Sequence, residues 1–156
     1  MVSPKIEDRK ENDLAYIEFV GQYDKVPWDE LIPKLFEWAK VQKVMPGFFP
    51  LGIYYDDPKL VTPEKCRSEV GITFKGHAIE ADGIKIKHLP AQKMATVSFK
   101  GPGSEYHKAY RGLQEWIEGK GHQVCGPCIE VYSKRPEIID GVMILHSKIM
   151  MPLEPK

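Results

Sequence analysis

Two chemical signals lie side by side in the stretch HQVCGPCIEVY, from His122 to Tyr132. The first is a C-x-x-C pair, Cys125-Gly126-Pro127-Cys128, a spacing used in dithiol redox centres and for two of the four ligands of a zinc site. The second is a carboxylate, Glu130, two residues before a phenol, Tyr132. A thioredoxin-type pair needs its first cysteine at the N-terminus of a helix that follows a strand, where the helix dipole lowers the thiol pKa. Here a helical pattern precedes the motif and the strand pattern CIEVY begins at its second cysteine, so the order is inverted. A zinc site needs two more ligands, and neither Cys66 nor the five histidines have a spacing that completes four. No metal and no cofactor are expected, and attention moves to Glu130.

The partners are bounded by composition. Lys+Arg and Asp+Glu both count 22, which gives no basic excess for a nucleic acid. No apolar run approaches the 18 or so residues of a membrane span, and MVSPKIEDRKEND has no signal-peptide core. Three cysteines fit a reducing compartment better than a disulfide framework, so a cytoplasmic location is expected. At 156 residues, 42% hydrophobic and 28% charged, the chain reads as one globular domain, 1–156.

That domain carries an internal repeat, about 5–76 and 84–154. Laid over one another at an offset of 80, LAYIEFVG and MATVSFKG match Ala15, Phe19 and Gly21 with Ala95, Phe99 and Gly101. Ile6 meets Ile86 at the same offset, EWAK meets EWIE at 78, Tyr54 meets Tyr132, and Ser68 meets Ser147. Each half reads as a strand–helix–strand–strand unit preceded by a further strand, an α+β fold with a curved antiparallel sheet and both helices on one face. In the second half IKIKHL and ATVSF alternate as strands, with the second ending at Gly101-Pro102-Gly103 and Ser104 placed to cap the helix. Tyr106, Ala109, Tyr110, Leu113, Trp116 and Ile117 form one apolar stripe at helical spacing. CIEVY is the next strand, with Pro136 closing the connection after it, and VMILHSKIMM is the last. In the first half IEFV, GIYY and EVGITF fill the strand positions. A helix over about Asp29 to Gln42 turns Leu31, Leu35, Trp38 and Ala39 inward, with Pro33 confined to its first turn.

Strand alternation assigns faces. If Ile129 and Val131 face the helices, Glu130 and Tyr132 face away, and so do Gly52 and Tyr54 in the matching strand. Tyr16, Glu18, Arg67, Glu69 and Gly71 share that side. The repeat then sets Glu130 against Gly52, a carboxylate in one half and space in the other. A cleft lined by tyrosines around one partly buried carboxylate suits a flat, cationic or polarised organic molecule. The same pattern also fits a solvated strand face, with Glu18 and Glu69 simply exposed and the tyrosines filling the sheet. Trp28, Tyr106 and Tyr110 lie early on the helices, where they can rim a cleft. Trp38 and Trp116 read as core.

The run FKGPGSEYHKAYRGLQEWIEGKGHQVCGPCIEVYSKRPE with SKIMMPLEP, together with GIYYDDP and EVGITF, resembles the GyrI-like small-molecule-binding domain, also the effector-binding module of drug-sensing transcription activators. The likeness runs from about Ile6 to Pro152. It implies a duplicated fold with a ligand cleft between the halves and puts the family's central acidic residue at Glu130. With it come a multidrug-type site of Glu130, Tyr132, Tyr54, Gly52, Tyr16 and Tyr110, and a small-molecule ligand. Some members hydrolyse reactive cyclopropane rings with a glutamate, which would make Glu130 catalytic, and the founding member is named for inhibiting DNA gyrase. No helix-turn-helix flanks the domain in this sequence, so direct DNA binding is not expected, and neither is a membrane partner. A homodimer is left open. Lys148, in parity with His146 and Met150, is expected near the cleft, which would weaken a preference for cations.

Overall fold

The computed structural model describes residues 3–155. Antiparallel strands and two α-helices make an α+β fold, divided between two compact units. The first strand, β1 (Lys5–Arg9), joins the residues from Gln92 onward in a C-terminal unit, while Lys10–Ala91 form a central unit. Among the described residues no helix is long and apolar enough to cross a membrane.

The central unit contains β2 (Asn12–Val20), α1 (Trp28–Gln42), the short β3 (Met45–Pro46), β4 (Leu51–Tyr54), β5 (Arg67–Lys75) and β6 (Lys85–Leu89). Its strands run in the order β4-β5-β2-β6, with β3 also pairing β5. Leu35, Trp38 and Ala39 of α1 bury their side chains on Ala15, Val70, Ile72 and Phe74. Trp38 meets Phe74 edge to face at 5.3 Å, and its indole N–H donates to the Ile79 carbonyl at 3.0 Å, so its one polar atom is satisfied in the core.

Pro33 is not in the first turn of α1. The helix starts at Trp28, where the Pro27 carbonyl accepts from the amides of Glu30 and Leu31, so Pro33 is its sixth residue. A proline there removes the bond to the Asp29 carbonyl. Its ring is exposed, so water can reach the orphaned carbonyl, and the buried stripe on the opposite side holds the helix regardless. The end of α1 is set by Lys43, left-handed at φ 58°, whose amide returns to the carbonyls of Ala39 and Lys40.

The C-terminal unit adds β7 (Gln92–Pro102), α2 (Tyr106–Gly119), β8 (Cys128–Ile139) and β9 (Val142–Pro152), in the order β1-β7-β9-β8. Leu113 and Ile117 of α2 pack on Ala95, Ile149, Met151 and Leu153. Two local expectations fail here. Strand β7 runs on through Gly101 and Pro102, so Ser104 falls in a 3-10 turn, Gly103–Glu105, and makes no cap hydrogen bond. Strand β8 does not stop at Tyr132 with Pro136 in a connection after it. It continues to Ile139 through register breaks between Val131 and Lys134 and between Lys134 and Glu137, and Pro136 sits inside the second, where a missing N–H is tolerated. Asp140 and Gly141, at φ 50° and 78°, turn the chain into β9 as a tight hairpin.

Apart from the short β3, the order of strands and α-helices is the same in both halves, β1-β2-α1-β4-β5 and β6-β7-α2-β8-β9. The first strand of each is exchanged: β1 pairs β7, and β6 pairs β2.

Because Pro33 sits in the helix interior and is exposed, Pro33→Ala is expected to stabilise the protein by about 1–3 kcal/mol. Urea unfolding checks this; an unchanged or lower midpoint would show that Pro33 is accommodated without loss.

Candidate functional site

The site is built on the start of β8, where Ile129 and Glu130, on opposite faces, are both buried. Glu130 lies opposite Ile149 in the β9 register, and Ile149 packs against Leu113 and Ile117 of α2. Directly paired residues share a sheet face, so Glu130 points toward the helix. Ile129 pairs with Met150 on the other face, where Met94 and Thr96 are also buried. The expected face assignment is therefore reversed. Apolarity could not orient this strand because at its start both Ile129 and Glu130 are buried.

Glu130 is 7% exposed. One carboxylate oxygen accepts a hydrogen bond from the Tyr110 hydroxyl, and the other accepts from Tyr132 at 3.0 Å. Tyr106 adds a third hydroxyl to this shell and meets the Ser147 hydroxyl at 2.7 Å, with its ring stacked on Phe99 at 4.3 Å. The helical spacing of Tyr106 and Tyr110 delivers both phenols from one face of α2, while Tyr132 comes from the same face of β8. Among the described residues no lysine, arginine or histidine pairs with Glu130. Burial raises its pKa, the three tyrosine hydroxyls pull it back, and the net position is above the ordinary carboxylate range. Tyr106 is pushed up to about 12, first by burial and then by the nearby Glu130 charge. Burial likewise drives the Tyr110 phenol upward, so both stay protonated as donors.

Cys128 belongs to this cluster too, its thiol donating to the Tyr110 oxygen at 3.3 Å. Burial lifts its pKa to about 12, the opposite of an activated thiol. Cys125 is exposed, and the two cysteines are free rather than bridged. Among the described residues no group of three or more His, Cys, Asp or Glu could hold a metal ion. Lys148 is not beside Glu130. It pairs with Val131 on the opposite face and bonds the Glu7 carboxylate.

In the central unit, Gly52 pairs with Val70 and Tyr54 with Ser68, which puts both on the α1 face, again the reverse of the expectation. The space at Gly52 is filled within its own unit. A Cβ there would fall 2.8 Å from the Tyr54 hydroxyl, and the Tyr54 ring packs edge-on against Tyr23 at 4.9 Å. Tyr16 lies on the other face, opposite Gly71 in the register, with the Lys87 ammonium 4.4 Å from its ring centre. Tyr16 therefore does not share a face with Gly52 and Tyr54. The same far face holds Glu69, expected to be solvated but 8% exposed, which binds Lys87 and accepts from the Tyr55 hydroxyl at 2.8 Å. Glu18 is exposed, paired to Lys85, as its position suggested. Tyr106, expected only at the rim, Cys128, weighed only as half of a C-x-x-C pair, and Ser147, noted only as a repeat position, all join the cluster around Glu130. The signal for Tyr106 was present in its i, i+4 spacing to Tyr110.

The profile of the GyrI-like small molecule binding domain matches residues 3–154. The chain belongs to that family. It is 31% identical over 150 residues, 96% of this chain and 97% of the other, to the SPbeta prophage-derived protein YosT of Bacillus subtilis (strain 168), named as a transcriptional regulator. It is 22% identical to the DNA gyrase inhibitor of Escherichia coli (strain K12), over 82% of this chain and 83% of that one. Among solved structures, the EcmrR C-terminal domain superposes with a TM-score of 0.80 at 18% identity, covering 100% of this chain and 99% of that domain. In the EcmrR–DNA complex this GyrI-like chain spans 58% of the EcmrR chain. At 18% identity these superpositions show a shared fold.

Because its pKa is raised on folding, Glu130 holds a proton more tightly in the folded state than in the unfolded one. Its contribution to stability is thus full below the ordinary value of 4.5 and is lost as pH rises toward the raised value. The Glu130→Gln variant lacks this loss. Thermal melts from pH 4 to 8 are expected to show the variant gaining on the parent as pH rises; parallel curves would contradict the raised pKa.

Proposed function

We propose that this GyrI-like domain captures flat aromatic molecules that are cationic or strongly polarised, with Glu130 as the charge complement and Tyr110 and Tyr132 beside it. One observation carries the reading: Glu130 is a buried carboxylate held by phenols and, among the described residues, neutralised by no cation. Taking a charge out of water is unfavourable, and hydrogen bonds from neutral donors offset only part of that. A cationic ligand supplies the missing charge, and aromatic rings add about 0.5–2 kcal/mol of cation–π attraction. With Lys148 bound to Glu7, the expected objection to a cation falls away. The reading rests on the C-terminal unit and gives no role to Tyr54, which is seated over Gly52 in the central unit. Tyr16 is set aside, since its ring is already occupied by Lys87.

A second reading makes Glu130 a general base that orients water toward a strained electrophile such as a cyclopropane. It is favoured by the same upward pKa, which brings a carboxylate closer to the working range of a base. A gyrase-directed role rests on the names of relatives, and the Glu130 shell adds nothing to it.

A fluorescent cationic aromatic dye and a cyclopropane-bearing alkylator separate these readings. The dye is expected to bind the parent and to lose at least about tenfold in affinity, about 1.4 kcal/mol, in Glu130→Gln. Turnover of the alkylator abolished by the same substitution would replace binding with hydrolysis. Unchanged dye affinity in Glu130→Gln would remove Glu130 from the site.

A further inference from the structure

The two exchanged strands are each held by an ion pair, and the two pairs have opposite polarity. In the C-terminal unit Lys148 of β9 bonds Glu7 of β1. In the central unit Glu69 of β5 bonds Lys87 of β6. These four residues occupy matching places in the repeat. Glu7 and Lys87 are 80 residues apart, and Glu69 and Lys148 are 79 apart. The registers match as well: Glu7 lies opposite Met94 and Lys148 opposite Ser98, while Lys87 lies opposite Leu14 and Glu69 opposite Glu18.

The first repeat thus carries acid at both places, and the second carries base at both. Docking each first strand in its own repeat would set Glu7 against Glu69 and Lys87 against Lys148. A neighbouring row repeats the pattern. Asp8 lies opposite Lys93, and His88 lies opposite Asp13 with its ring 3.1 Å from the carboxylate. Self-docking would bring Asp8 to Asp13 and His88 to Lys93.

The apolar pairing does not separate the two arrangements. Ile6 sits opposite Ala95 and Ile86 opposite Ala15, so the apolar cross-strand pair is Ile with Ala in either case. Lys5 and Lys85 are identical and do not discriminate. We infer that this charge pattern selects the exchanged pairing of β1 with β7 and β6 with β2 over self-docking, by attraction in one arrangement and repulsion in the other. The side chains of the two main pairs are between 10% and 36% exposed, which shields them from full solvent screening. The Glu7 carboxyl, raised by burial, is brought below its ordinary value by Lys148 and Lys5; Lys87, lowered by burial, is brought above its own by Glu69 and Tyr55.

A charge swap that keeps composition and net charge tests this. The Glu7→Lys, Lys87→Glu variant opposes the observed arrangement and favours self-docking. Adding Glu69→Lys and Lys148→Glu restores complementarity in the observed one. The double swap is expected to lower Tm by about 5–10 °C, with the quadruple variant returning to within about 2 °C of the parent. A methyl NOE between Ile6 and Ala95 is expected in the parent and the quadruple variant, and is expected to be lost in the double swap. A double swap that melts like the parent and keeps that NOE would overturn the inference. So would a quadruple variant no more stable than the double swap.

Discussion

A carboxylate inside a protein is stable only when something answers its charge. Glu130 is answered by hydroxyls, with Tyr110, Tyr132 and Tyr106 surrounding it and, among the described residues, no basic side chain paired to it. Phenols supply hydrogen bonds without supplying charge, so the site retains an electrostatic deficit that an ion pair would have removed. The rest of the C-terminal unit serves this condition. The α2 stripe presents two tyrosines on the face that also buries Leu113 and Ile117, so core packing and site assembly are one event. Phe99 stacks on Tyr106 and Ser147 meets its hydroxyl, which fixes that ring.

The contrast inside the molecule sharpens the point. Glu69 is as buried as Glu130, yet it has Lys87 and is a structural ion pair. Lys148, the basic residue that could have neutralised the site, is turned to the opposite face and bound by Glu7. Charges are thus paired where they hold strands together and left unpaired at Glu130.

The amphipathic elements were readable from sequence, and the doubly buried ones were not. Helix α2 showed its six-residue stripe because one side meets water, and the repeat in the strands could be aligned because Ala15 and Ala95 or Ser68 and Ser147 keep their spacing. Strand β8 failed the same test. Both Ile129 and Glu130 are buried, so alternation carried no information on which side holds the helix, and the polarity rule returned the wrong face. Gly52 was read as space for a ligand, when only coordinates could show Tyr54 lying over it. Glu69 was taken as solvated because its partner, Lys87, is 18 residues away in a strand that crosses from the other repeat. Pro33 was confined to a first turn by local rules, which tertiary packing of α1 overrides.

The most direct measurement is a carbon-13 NMR titration of the Glu130 carboxyl, with and without a cationic aromatic dye. The account predicts a midpoint above 4.5 in the free protein and a lower one with dye bound, because the cation stabilises the charged form. A free-protein midpoint at or below 4.5, or one that the dye leaves unmoved, would contradict it.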